Sequence, residues 1–136
     1  MANYNNTGRL QPRHFVVLAA LLAAPVHAVH RRLGEVGLAY WFAWVALIST
    51  LTFAIYGWDK RRARENGQRE PESPLHTLEL IGGWPGAFLA QYHFRHKCVK
   101  PGYQVVFLLI VGLHLAVAVD SLRAWQWLKA LAGLLR

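Results

Sequence analysis

Apolar residues in this chain fall into long runs, and its polar residues gather between them. After a polar start from Met1 to Gln11, the stretch Phe15 to Ala24 is apolar, and its lipophilic character continues to Val29. Two readings fit. As a secretory signal, Arg9 and Arg13 form the basic region, the run is the apolar region, and Val26-His27-Ala28 is the cleavage site. As a spanning helix the run is about 17 residues long, near the lower limit for crossing a bilayer. The helix is preferred, because Pro25 is tolerable in a membrane helix.

Arg31, Arg32, Gly34 and Glu35 predict a short turn. Val36 to Tyr56 then runs 21 residues without a charge, the clearest spanning signal in the chain. Tyr40 and Trp41 mark one end of it and Tyr56 and Trp58 the other, as expected of amphipathic rings at headgroup level. Asp59 to Ser73 is the most polar stretch. It carries Lys60, Arg61, Arg62, Arg64 and Arg69 and reads as a loop. Ser73-Pro74 offers an N-cap and a first-turn proline, so a helix is expected to start there.

The third segment, Leu75 to Phe94, is long enough to span but holds His76, Glu79, Gln91 and His93. Gly82-Gly83-Trp84-Pro85-Gly86 breaks it in the middle, which a membrane tolerates only where protein or a wet cavity satisfies the loosened backbone. A kinked span and a re-entrant hairpin both fit. Arg95 to Lys100 follows, then a fourth span from Tyr103 to Val119, closed by Asp120. The tail, Leu122 to Arg136, is amphipathic. Arg123, Gln126, Lys129, Gly133 and Arg136 share one side, with Trp125, Trp127, Leu128, Leu131, Leu134 and Leu135 on the other, the pattern of a helix lying in the interface plane.

The expectation is therefore an all-α integral membrane protein with about four transmembrane segments, the third kinked or re-entrant, and a C-terminal amphipathic interfacial helix. Residues 1–58 form a two-helix membrane hairpin, 59–120 a central region, and 121–136 the tail.

Composition agrees. The 136 residues suit one domain; 54% are hydrophobic and 16% charged, against about 25% charged in soluble domains. Lys and Arg number 15 against 7 Asp and Glu, a formal charge of +8. These cations flank apolar runs and do not line one face of a soluble domain. Anionic phospholipid is thus the expected counter-charge, and nucleic acid is not. Cys98 is the single cysteine, so no internal disulfide forms. Counting basic residues by side gives 10 against 5, whether the third segment spans or re-enters. The positive-inside rule then puts the N-terminus and the 59–73 loop in the cytoplasm, with the chain in a bacterial cytoplasmic membrane.

Asp59-Lys60 after a span, Ala63, Arg69 before Pro71-Glu72, Gly82-Gly83 with Gly86-Ala87, and Phe94-Arg95-His96-Lys97 occur in this order. Together they resemble the bacterial membrane family catalogued as domain of unknown function 1294, from about Tyr56 to Phe107. The chain departs from that pattern at Glu70, where an aliphatic residue is usual, and at Cys98, where threonine is usual. Some relatives carry an N-terminal cold-shock domain, for which residues 1–13 are too few, so nucleic-acid binding is not carried over. The resemblance implies a place in the membrane and a set of marked residues, but no particular reaction.

Lys60, Arg61, Arg69, Arg95, His96 and Lys97 are the candidate ligands for an anionic headgroup, with Asp59, Glu72 and Glu79 as charge partners. The plainer reading is stop-transfer and snorkelling residues with internal ion pairs. A shared site needs the two cationic clusters to meet. A re-entrant third segment would bring them together to grip a phosphate, whereas a full span would hold them roughly 30 Å apart. Glu79 shares a helix face with His76 and is a candidate for proton relay or ligand contact. His76-x-x-Glu79 lacks the second pair of a metal site, so no metal is expected. Gly82, Gly83 and Gly86 read as close packing or a kink, because no Gly-Lys-Ser/Thr phosphate loop follows. His27, His30 and His114 read as packing residues. Cys98 lacks the orienting partner of a nucleophile.

The leading expectation is a non-enzymatic module binding anionic lipid headgroups or a protein partner, which includes a second copy of itself, and using no cofactor. An alternative is a membrane-embedded enzyme acting on a lipid or small polar-lipid substrate. Arg95-His96 faintly resembles the Arg-His-Pro of integral-membrane methyltransferases, with Lys97 in the proline's place. A third reading is a proton-linked transporter using Glu79.

Overall fold

The computed structural model describes residues 10–66, 73–95 and 100–135. Arg69, Glu72, His96, Lys97 and Cys98, all singled out by the sequence, lie outside them. Every element among the described residues is helical: α1 (Pro12–Asn66), α2 (Ser73–Leu78), a π-helical turn (Glu79–Gly83), α3 (Trp84–Phe94), α4 (Pro101–Leu122) and α5 (Gln126–Leu134).

Helix α1 is two arms joined at Gly34, whose φ of 67° and ψ of −166° leave the helical region. Only glycine takes that conformation at little cost. The predicted turn therefore exists as a one-residue break. The arms fold back on each other: His14 in the first stacks on Tyr92 at 4.2 Å, and Arg32 at its far end donates to the Ser121 carbonyl. The second arm returns from Gly34 towards Lys60, which meets the Phe94 carbonyl. It does not stop at Tyr56. Residues 59–66 are helical, not the expected loop, because DKRRAREN holds no glycine or proline and several strong helix formers.

Residues 73–94 run out and back along this second arm. Glu79 lies level with Tyr56, Gly83 with Ile48 and Thr52, and the Ile81 carbonyl accepts from Trp44 Nε1 at 3.0 Å. Beyond Gly82, where φ is 117°, α3 reverses past Ser49 at Gly86 and reaches Gly57 with Phe94. From Lys60 to the level of Ile48 and Thr52 is 8 to 12 residues, roughly 12–18 Å of helix. The tip itself, Ile81 and Gly82, reaches Trp44, so the hairpin turns back before the Gly34 end of this arm.

Close approach at the tip depends on missing side chains. A Cβ on Gly86 would lie 2.1 Å from the Ser49 carbonyl oxygen, and one on Gly83 would lie 2.7 Å from the Leu78 carbonyl oxygen. Gly82 differs: a Cβ there would meet Trp44 only at 3.6 Å, but its φ is 117°.

Helix α4 starts beside Tyr56 and ends beside Arg32, completing a bundle with the two arms of α1 around the 73–94 unit. Trp84, Phe88, Tyr103, Phe107 and Val111 build its core with Leu18 and Leu75. α4 ends at Leu122, three residues past the expected limit, and the tail helix begins at Gln126. Ala124 and Trp125 take left-handed φ values of 57° and 61° to make the corner. Asp120 fastens it, accepting from the backbone N–H groups of Trp127 (2.8 Å) and Leu128 (3.1 Å) at the start of α5. A carboxylate there satisfies orphan donors and complements the helix dipole.

Helices α1 and α4 are each long and apolar enough to cross a membrane by length and composition. Their apolar side chains face outward as much as inward: Val105, Leu108 and Leu109 on α4 are 57%, 64% and 67% exposed.

Candidate functional site

Glu79 is fully buried in the segment that the sequence marks as apolar and broken. A carboxylate removed from water is costly unless donors surround it. They are drawn from three elements. Tyr56 of α1 and Tyr103 of α4 each place a hydroxyl 2.6 Å from Oε1. His76, one turn earlier on Glu79's own segment, sets Nδ1 2.7 Å from Oε2. Two phenols and one imidazole N–H make three donors for two oxygens, a set that satisfies a carboxylate out of water.

The network continues outward. The Tyr56 and Tyr103 hydroxyls touch each other, and Gln91 of α3 donates to the Tyr56 hydroxyl at 3.3 Å. Gln104 of α4 donates to Gln91 Oε1 at 2.6 Å. The His76 ring stacks on Tyr103, with centroids 4.2 Å apart. Residues from α1, α2, α3 and α4 are thereby tied at one level, and Glu79 is the shared acceptor. His76 and Glu79, three residues apart on one helix face, are in direct contact.

One helical turn beyond Tyr56 lies the cationic end. Lys60 donates its ammonium to the Phe94 carbonyl and sits 5.9 Å from the Phe94 ring centre. Arg95 follows immediately in the left-handed conformation that ends α3, φ 48°. Arg61 and Arg95 are exposed, and Asp59 is buried at 8% exposure. Arg62 lies over the Trp58 ring at 5.3 Å. Lys60, Arg61 and Arg95, drawn from both of the clusters separated in sequence, therefore share one end of the bundle. The carboxylate network forms the floor beneath them.

Sequence reasoning missed Tyr103 and Gln104 and misassigned Tyr56. Tyr56 was expected in a headgroup belt with Trp58. Trp58 is 60% exposed, as a belt residue would be, but Tyr56 is 0% exposed and points at Glu79. A signal was available: an acid in an apolar segment needs donors at its own depth, and tyrosines stand at the matching ends of the flanking apolar runs.

Comparison with known proteins places this site inside a shared region. Residues 49–103 match the family model described as "Protein of unknown function (DUF1294)". That span includes Tyr56, Lys60, His76, Glu79, the three tip glycines, Gln91 and Tyr103. The chain is also similar to "Uncharacterized protein YsdA" of Bacillus subtilis (strain 168), with 32% identity over 71 residues, covering 51% of this chain and 80% of the relative. No solved structure matches. With one third of the residues identical across four fifths of that relative, and the family pattern running through the glycine-broken hairpin and its carboxylate network, the chain belongs to the DUF1294 family.

Proposed function

We propose that this protein is a multi-pass protein of the bacterial cytoplasmic membrane that binds anionic phospholipid headgroups at its cytoplasmic end. In this reading the two arms of α1 and α4 cross the bilayer, residues 73–94 re-enter from the cytoplasmic side, and α5 lies in the opposite interface.

The observation that carries it is the contact of Lys60 with the Phe94 carbonyl beside Arg95. It unites two cationic clusters that a full span would keep apart. Charge supports the orientation. Among the described residues, Arg13, Lys60, Arg61, Arg62, Arg64, Arg95 and Lys100 lie towards this end, and Arg31, Arg32, Arg123 and Lys129 towards the other. An excess of cations marks the cytoplasmic side, where anionic lipid adds about 1 kcal/mol per Lys or Arg near the surface. The outward apolar residues of α4 and the exposed leucines at the end of α5, Leu134 at 83% and the following Leu135 at 82%, suit contact with acyl chains.

The test is lipid retention. Purified in an uncharged detergent with phosphatidylglycerol added, the protein is expected to keep bound lipid in native mass spectrometry, and Arg61→Ala with Arg95→Ala to lower that retention about tenfold. Unchanged retention in the double variant counts against the proposal.

A further inference from the structure

The hairpin turns back before the Gly34 end of the bundle, and a cavity of about 610 Å³ lies beyond its tip. Its floor is the tip of the 73–94 unit, Ile81 to Pro85, and its walls are the two arms of α1 and α4. Three indoles, Trp41, Trp44 and Trp84, face it together with Leu22, Leu113 and Val117. The Trp44 side chain holds the tip in place, donating its indole N–H to the Ile81 carbonyl. At the mouth stand Arg32 and Trp125. Arg32 is exposed and commits one guanidinium N–H to the Ser121 carbonyl at the end of α4, which fixes the cation at the rim. A guanidinium has five N–H donors in a fork suited to phosphate and carboxylate.

An apolar cavity of this size is poor ground for water, which needs two to four polar partners. Left empty, its lining forfeits dispersion contacts. Ligand pockets span about 300–1,000 Å³, apolar with a few placed polar groups. We propose that this cleft binds an anionic amphiphile, its hydrocarbon chain lying against the tryptophans and its phosphate or carboxylate on Arg32. Charge complementarity at the rim and the apolar lining select that occupant together. The site is at the end of the bundle away from Lys60 and Arg95, so it stands or falls separately from the headgroup site described above.

The full-length protein carrying Arg61→Ala and Arg95→Ala, which disable the headgroup site at the other end, is delipidated in an uncharged detergent and offered dioleoyl phosphatidylglycerol, dioleoyl phosphatidylcholine or oleate, and retention is read by native mass spectrometry. This double-variant background is expected to hold phosphatidylglycerol about tenfold over phosphatidylcholine through the charged contact with Arg32. Arg32→Gln brings the two to parity. Val117→Trp, which fills the cleft, loses both, and Leu108→Trp, on the outward face of α4, loses neither. Oleate held as well as phosphatidylglycerol identifies a free fatty acid as sufficient, and oleate held far more weakly identifies a phospholipid; either result fits the site. Added to that background, Val117→Trp with undiminished retention, or Arg32→Gln with an unchanged anionic preference, overturns the proposal. Should Val117→Trp not fold, a phosphatidylglycerol with a photoreactive acyl chain replaces it on the wild type. Crosslinks at Trp84 or Leu113 support the cleft, and crosslinks confined to Leu108 and Leu109 overturn it.

Discussion

Tyr56 and Tyr103 stand 47 positions apart in sequence and direct their hydroxyls at the same oxygen of Glu79, each at 2.6 Å. The two phenols come from different helices and the acid from a third segment. The carboxylate therefore works as a clamp on the depth of the hairpin: sliding residues 73–94 by one turn along α1 would take Glu79 away from both. Buried polar networks that are fully satisfied favour one arrangement over its neighbours, because each partly satisfied alternative carries a desolvation cost.

Glu79→Leu is thus expected to lower the thermal stability of the detergent-solubilised protein, by about 1–3 kcal/mol for the donors it strands. Tyr56→Phe and Tyr103→Phe should each cost less. Their combination should depart from additivity, with a coupling of about 0.5–3 kcal/mol, as neighbours in one network do. Thermal unfolding of the four proteins closes the cycle, and strict additivity would mean that the shared oxygen does not couple them.

The tip glycines separate two kinds of constraint. Gly86→Ala drives a methyl into the Ser49 backbone, an overpacking that costs about 1–3 kcal/mol. Gly82→Ala has room beside Trp44 but must take a φ of 117°, a strain of about 1–3 kcal/mol. Gly112→Ala, on α4 with nothing within 4 Å of the added carbon, should be neutral or slightly stabilising. Melting temperatures for the three variants check this ordering. A Gly112→Ala loss equal to that of Gly86→Ala would refute it.

Sidedness follows from the out-and-back path. In a Cys98→Ser background, single cysteines at Arg61 and Arg95 should react with an impermeant maleimide from the same side of intact membranes. One at Arg31 should react from the other. Labelling of Arg95→Cys together with Arg31→Cys would mean that residues 73–94 cross completely.

Asp120 sets the corner into α5. Asp120→Ala removes the acceptor for the Trp127 and Leu128 amides, a capping loss of about 0.5–2 kcal/mol. α5 has no buried residue to compensate. Amide exchange across residues 126–134 is expected to speed up severalfold, while exchange in α4 before Val117 stays as it was. Unaltered exchange in α5 would show that the cap is dispensable.

Much of the architecture was legible along the chain because it is local. Uninterrupted apolar runs define α1 and α4, Gly34 and Gly82 mark the breaks, and Ser73-Pro74 marks a helix start; each depends on a residue and its immediate neighbours. The extension of α1 through Asn66 was masked by its charges, which resemble a loop until they are weighed as helix formers. The marked glycines and Glu79 were also visible as exceptions to their surroundings.

What the sequence could not decide was where those exceptions point. The same broken segment suits a kinked span or a hairpin, and the choice rests on contacts such as Lys60 with Phe94, 34 residues apart, and Gly86 with Ser49. Tyr56 reads as a belt residue until the fold turns it inward to meet an acid 23 positions away. Apolar runs settle which pieces are helical, because helix formation and burial in an apolar phase are properties of a segment. The depth of the hairpin, the joining of the two cationic clusters and the cavity left beyond the tip belong to how segments pack, and only the assembled bundle supplies those distances.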